Sequence, residues 1–559
     1  MISRRTFAGL TLTSLFAGTR SAAAASETWV NRTLAQLDLD ARIGQLMMPM
    51  LEDQQEGRLL VERYKVGGFV TYREPAEALA LRLNRLQRLS QVPLLCSADF
   101  ERGVGAYMDG ATELPVAMAI GATGQSDLAY AAGQVTAREA RAIGVHVVFA
   151  PVLDVNNNPK NPIINVRSFG ADSAEVGRLG NALVRGLQSS GALATVKHFP
   201  GHGNIATDSH RDLGVLSGSL QELNATELVP FRAALAETQG VMVAHLWVKA
   251  FDRNPMPATL SQRVIDGFLR KQLGYNGLIY TDSLGMGGVL NYVNGNWPAA
   301  QVLALQAGCD VLVLPTSNAK NATHAMAVEG GIKAIKVAVQ QGRLSPQRIE
   351  QSVRRILTAK AWAGLDRQSA VDLNGLSILG SKAHRAVADK IARSALTLVQ
   401  DREKLLPLAA SAPIGIISLT NREGNGAFGR ASGAFVPAAK LNHKVEALNW
   451  SLTPTDSEIA ASLDLARRSR IIVIAATLKV FVGDNSAGLL PAHSAVLAQI
   501  AAANPRIVFI SFGSPYALAS LRNLSTLICA YDESKVMQEA AVQALWSPEP
   551  WVGKLPVTI

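Results

Sequence analysis

Cysteine is scarce: the 559 residues hold three, Cys96, Cys309 and Cys529, each in or beside an apolar run. Three scattered thiols exclude a disulfide framework, and buried free cysteines are the expectation. Charge is also modest, at 18% against 48% hydrophobic residues, which excludes a chain too polar to bury a core. Aromatic residues make up only 6%, and no basic cluster is interleaved with them. The net charge of +10 therefore does not predict nucleic-acid binding, and charges spread along the chain read as a solvated face. No stretch beyond the N-terminus is long and apolar enough to cross a bilayer.

What is present begins with an address. Ser3-Arg-Arg-Thr-Phe7 precedes a short apolar segment, Ala8 to Gly18, and then Ser21-Ala-Ala-Ala-Ala25. Paired arginines, a short apolar run and small residues predict a twin-arginine-type signal over residues 1–25. The expectation is an exported, periplasmic protein with no stable membrane insertion after cleavage.

At this length two domains are expected. From Glu27 to Gly364 an apolar strand, a polar or glycine-bearing loop and a helical segment recur. The strand candidates are Gln45 to Met50, Gly68 to Thr71, Pro93 to Ala98, His146 to Val152, Ala194 to Lys197, Val241 to Ala244, Gly277 to Thr281 and Asp310 to Leu314. Eight such units predict a (β/α)8 barrel over residues 27–364, with its site at the C-terminal strand ends. Asp99, Asp154, His198, His245 and Asp282 each follow a separate strand, so a barrel would gather them around one axis; a doubly wound sheet would line them along an edge. Asp172-Ser-Ala-Glu175 is a capping-box pattern and predicts the start of a helix running through Val176 to Leu187. Residues 365–386 show no regular pattern and read as a linker. From residue 387 to 559 apolar runs return at Ile414 to Ser418, Ile471 to Ala475, Ile507 to Ser511 and Thr526 to Ala530, predicting a smaller α/β sandwich domain.

The densest polar stretch is Lys197-His-Phe-Pro-Gly-His-Gly-Asn-Ile-Ala-Thr-Asp-Ser-His210. Pro200, Gly201 and Gly203 stop the preceding strand, so the cluster sits where strand becomes loop. Asp208 and His210, two residues apart in an extended loop, project to the same side, and the carboxylate can orient the imidazole for proton transfer. The same pair also suits a simple loop salt bridge. Asp282, following Leu278-Ile-Tyr-Thr281, suits a nucleophile, with Gly285, Gly287 and Gly288 behind it leaving room for a substrate; it equally suits a helix N-cap. His198, His202, Asp208 and His210 are also metal-ligand types, but Pro200 and Gly201 prevent a helix from presenting the first two together, so no metal is expected. Gly285-Met-Gly-Gly288 lacks the lysine and hydroxyl of a phosphate loop.

Lys197 to Gly203 with Asp208-Ser-His210 resembles the signature of glycoside hydrolase family 3, in its β-N-acetylglucosaminidase branch. Phe149-Ala-Pro-Val-Leu-Asp154, Val166-Arg-Ser-Phe-Gly170 and Tyr280-Thr-Asp-Ser-Leu-Gly-Met286 resemble further blocks of that family, in its order. The resemblance implies a retaining hydrolase without metal or organic cofactor. It implies Asp282 as nucleophile, His210 as acid/base and Asp208 as its partner, with Asp99, Arg167, Lys197 and His198 holding the terminal sugar. The implied substrate is a glycan ending in N-acetylglucosamine, from cell-wall fragments or chitin oligosaccharides. A phosphorylase or β-glucosidase of the same family, or a catalytically silent sugar-binding protein, are the alternatives. One departure stands out: Asp99-Phe-Glu-Arg-Gly103 occupies the place where the branch commonly has Asp-Gln-Glu-Gly-Gly.

Overall fold

The computed structural model describes residues 26–314, 323–422, 433–478 and 488–559. The proposed signal segment, residues 1–25, lies outside them.

The strands of the first domain are short: β1 (Met47–Pro49), β2 (Ser97–Ala98), β3 (Val147–Val148), β4 (Leu193–Phe199), β6 (Gly240–Val243), β8 (Leu278–Thr281) and β9 (Leu312–Leu314). Their parallel pairings nevertheless close a ring. Met50 bridges Val70, Val70 bridges Ser97, and the order then runs β2-β3-β4-β6-β8 before Tyr280 bridges Val311 and β9 returns to β1. The second strand, expected at Gly68 to Thr71, is reduced to that double bridge at Val70. Every residue of β4 is buried, as both faces of a barrel strand must be. Helices cover the outside, and Asp172 accepts from the Ala174 and Glu175 amides to start helix Ser173–Ser189. Glu175 turns to Arg178 instead of completing a capping box. A small parallel pair, β5 (Gly214–Leu216) with β7 (Leu246–Val248), follows the polar loop.

The second domain is built on a six-stranded mixed sheet in the order β10-β15-β14-β13-β11-β12. These are β10 (Thr397–Asp401), β11 (Ile414–Thr420), β12 (Val445–Asn449), β13 (Ile471–Leu478), β14 (Ile507–Gly513) and β15 (Thr526–Cys529). Only β10 runs antiparallel, against β15. The four expected strands are the central ones, and both edges were unforeseen. The central strands are almost wholly buried, whereas β12 has no buried residue and β10 only one, so the edges carry no apolar run to read.

The segment expected to lack regular structure, 365–386, instead carries a 3-10 helix at Leu373–Ile378 and the start of helix Lys382–Ala395. Each begins at a single cap: the Asp372 side chain accepts from the Asn374 amide, and Ser381 from that of His384. The three cysteines are buried free thiols, and burial pushes those of Cys96 and Cys529 up to about 12. Among the described residues no helix is long and apolar enough to cross a membrane.

Candidate active site

All eight strand positions of the barrel feed one cavity of ≈ 230 Å³. Met50, Val70, Asp99, Phe149, Lys197 with His198, Met242, Asp282, and Val313 with Leu314 each line it from a successive strand end. Glu101, Arg167 and His210 enter from loops. The volume falls below the roughly 300–1,000 Å³ of a drug-sized site, so it suits one small ring rather than a chain.

Asp282 sits just past β8, where its amide donates to the Val243 carbonyl at 3.1 Å. It caps no helix; one carboxylate oxygen accepts only the next amide, Ser283, at 2.7 Å. Burial pushes its pKa up, but the imidazoles of His245, His198 and His210 and the Ser283 amide outweigh that and hold it down to about 2. It is an anion at any ordinary pH. His245, fully buried, donates from Nε2 to the Ser283 carbonyl at 2.9 Å and so fixes the turn that carries Asp282.

His210 comes from the loop between β4 and β5. Its backbone amide and its Nδ1–H both donate to Asp208 Oδ1, each at 2.9 Å, which leaves Nε2 as the atom available to a substrate. The His210 side chain is 44% exposed while that of Asp208 is 5% exposed. Burial raises the Asp208 pKa, yet bonding to His210 brings it below the usual value, so the carboxylate stays ionised behind the ring.

Gly287 and Gly288 have a different use from the one expected. They do not clear a path for substrate; they let the two functional loops touch. The Gly287 amide donates to the His210 carbonyl at 2.9 Å and that of Gly288 to the Ser209 carbonyl at 3.1 Å. A Cβ on Gly287 would lie 2.2 Å from the Arg211 carbonyl oxygen.

On the opposite wall lies a chain of alternating charges. Lys197 Nζ donates to Asp99 at 2.6 Å and approaches Glu101 Oε1 at 2.7 Å. Glu101 in turn receives both Nε and Nη2 of Arg167, at 3.0 and 2.7 Å. Arg167 Nη2 lies 3.4 Å from His198 Nε2, and His198 Nδ1–H donates to Asp154 at 2.7 Å. Burial opposes each of these charges, but pairing prevails: Glu101 is held below the carboxylate range, Lys197 and Arg167 above their ordinary values. Lys197 is 3% exposed and Asp99 45%, so Asp99 is the member left open to a ligand's hydroxyls.

Asp99, Arg167, Lys197, His198, His210 and Asp282 thus line one cavity, with Asp208 directly behind His210. Asp154 and His245, also at strand ends, stand behind the lining and are fully buried. Sequence reasoning missed three contributors. Glu101 was visible only through its spacing, two residues from Asp99. His202, a candidate metal ligand by residue type, instead bonds Ser209 Oγ at 2.8 Å through Nε2, tying the two ends of the signature loop together, and burial lowers its pKa to about 4. Ser209 has no signal beyond its neighbours. Among the described residues no three His, Cys, Asp or Glu side chains are arranged to hold a metal ion.

Comparison with known proteins follows the same lines. A model of the glycosyl hydrolase family 3 N terminal domain matches residues 38–359. A β-N-acetylglucosaminidase/β-glucosidase from Cellulomonas fimi is 30% identical over 555 residues, 95% of each chain. The structure of a glycoside hydrolase family 3 β-N-acetylglucosaminidase from Paenibacillus sp. str. FPU-7 matches with a TM-score of 0.84 and 30% identity, covering 93% of this chain and 99% of that one. A β-glucoside phosphorylase matches with a TM-score of 0.85 and 27% identity, covering 95% and 96%. The barrel, the loops that meet at its mouth and these matches lead to one conclusion: the chain belongs to glycoside hydrolase family 3.

Proposed function

We propose that this protein is an exo-acting, retaining β-N-acetylglucosaminidase that removes terminal N-acetylglucosamine from cell-wall fragments or chitin oligosaccharides. The observation that carries the reading is a strand-end carboxylate held ionised and a carboxylate-backed imidazole lining one cavity sized for a single sugar. The names of the Cellulomonas fimi and Paenibacillus relatives support the choice of sugar.

In this mechanism the Asp282 carboxylate attacks the anomeric carbon while His210 Nε2–H gives its proton to the departing oxygen. The glycosidic bond breaks, a covalent ester to Asp282 forms, and His210 is left neutral. It then takes a proton from water, whose oxygen attacks the anomeric carbon and frees Asp282. Asp208 stabilises the imidazolium in both steps. Asp99, Lys197, Arg167 and His198 hold the sugar's hydroxyls, with Glu101 neutralising the two cations between them.

Phosphorolysis is the second reading, favoured by the likeness to a β-glucoside phosphorylase. A neutral imidazole repels an incoming phosphate less than a carboxylate would. Export through the signal at residues 1–25 belongs to the same proposal.

The test is release of aryl alcohol from an aryl N-acetyl-β-glucosaminide, beside the matching glucoside, with and without phosphate. Asp282→Asn is expected to lose activity by about 10³-fold or more. Undiminished release by that variant overturns the mechanism, and sugar phosphate as the main product transfers the reading to phosphorolysis.

A further inference from the structure

The loops carrying Glu101 and Arg167 are both gripped from outside by the second domain, each through the residue next to the pair. From this we propose that the second domain is a positioning device for the Glu101–Arg167 pair, acting through Arg102, Asp532 and Glu533. The proposal rests on the sugar-binding reading of the cavity.

Glu101 and Arg102 sit together in the turn closed by the bond from the Gly103 amide to the Phe100 carbonyl, and the first lines the cavity while the second reaches the second domain. The Arg102 side chain is 5% exposed. Its Nη2 donates to Glu113 at 2.8 Å within the barrel and lies 3.6 Å from Asp532 Oδ1, while Nη1 lies 3.8 Å from Glu533. Asp532 is 1% exposed, and its other oxygen accepts the barrel's Val116 amide at 2.8 Å. On the other loop, Val166 is buried in the second domain's own core cluster, together with Val116 and Met118. Further along that loop the Ala171 amide donates to the Pro556 carbonyl at 2.9 Å. Tyr516 adds a bond from its hydroxyl to the Asn156 carbonyl at 3.1 Å.

Adhesion alone does not call for this arrangement. A buried ion pair contributes little net stability compared with an apolar contact, but it fixes register. Here the fixed register belongs to the residue adjoining Glu101, which clamps two cations of the sugar-holding wall. Arg102, Asp532 and Glu533 are positioning residues; none of them lines the cavity.

The experiment compares full-length wild type, Asp532→Asn and Glu533→Gln for calorimetric Kd of N-acetylglucosamine, and for KM and kcat on the aryl N-acetyl-β-glucosaminide. Asp532→Asn is expected to raise Kd and KM together by about two- to thirtyfold, with kcat changing less, and Glu533→Gln to act more weakly in the same direction. Ser462→Ala is the stability control: it removes the buried acceptor of the Trp450 Nε1–H inside the second domain, away from residues 531–533, and is expected to lower Tm without moving Kd. Wild-type Kd in both acidic-residue variants, whatever their Tm, overturns the proposal. If Asp532→Asn does not fold, Glu533→Gln and Arg102→Lys decide it by the same criterion. A wild type that binds the sugar without cleaving the glycoside overturns the glycosidase reading and leaves the Kd comparison decisive for the clamp. A wild type that does neither overturns both.

Discussion

Adding a single methyl group at Gly287 tests whether the two functional loops work as one unit. The Cβ of Gly287→Ala would sit 2.2 Å from the Arg211 carbonyl oxygen, 2.6 Å from its carbon and 3.0 Å from its Cα, against an ordinary contact that begins at 3.4 Å. All three are backbone atoms, so no rotamer change relieves the clash, and the chain beside His210 must retreat by about 1 Å. Displacement of a reacting group on that scale costs about 10²-fold in rate. The overpacking itself costs about 1–3 kcal/mol of stability, which leaves a large protein folded at room temperature. Gly288→Ala provides the graded comparison, because its Cβ would meet the Ser209 carbonyl oxygen at 3.1 Å and His245 Cβ at 3.2 Å, a crowding that small movements absorb. The assay is kcat at saturating aryl N-acetyl-β-glucosaminide, with thermal unfolding measured alongside. The expected order is wild type, then Gly288→Ala, then Gly287→Ala far below. A Gly287→Ala enzyme within twofold of wild type in kcat would refute the idea that this contact sets the acid/base position.

Acid stability should be governed first by buried histidines. A base whose folded pKa is depressed resists protonation in the native state, so its contribution is present above the unfolded value and lost as pH falls toward the folded one. For His202 that window runs from 6.5 down to about 4 and is worth about 3 kcal/mol; His146 and His245 shift in the same direction through burial. Stability of wild type should therefore fall between pH 6.5 and 4, less steeply in His202→Gln, and parallel unfolding curves for the two would contradict this. Asp282, displaced from 3.8 to about 2, keeps its stabilising contribution through that range and loses it only below it. Lys360 gives the opposite test: it is fully buried, its ammonium donates to Gln45 at 2.6 Å, and burial lowers its pKa to about 7. Its unfavourable burial is full below about pH 7 and is relieved as pH rises to 10.5, so Lys360→Met should gain about 2–4 kcal/mol at pH 7 and little at pH 10 by chemical denaturation.

The barrel was legible because its strands are buried on both faces and five of the eight are followed by a polar or ionisable residue unlike the strand itself. Asp99, His198 and Asp282 stand out for that reason, and their convergence follows from topology alone. The signature loop was equally readable, since three histidines beside Pro200 and Gly201 have no ordinary place in a strand or helix. What stayed hidden depended on partners distant in the chain. Glu101 matters because Lys197 and Arg167 reach it, and nothing near position 101 announces them. The purpose of Gly287 becomes visible only when the backbone near position 211 lies against it. Edge strands β10 and β12 share the difficulty, because half-exposed strands with mixed polarity resemble loops.

The packed interior beneath the cavity has a consequence for traffic. Phe149 and Tyr280 meet edge to face there, 5.4 Å apart, with 1% and 0% of their surfaces exposed, so among the described residues the floor beneath the cavity is closed. In the proposed two-step mechanism, leaving group, incoming acceptor and freed monosaccharide would then all use the open mouth and pass in turn. On that mechanism the first product would have to depart before the second half-reaction begins, and a monosaccharide lingering in the doorway would exclude the next glycan end, making the end product a competitive brake on its own formation.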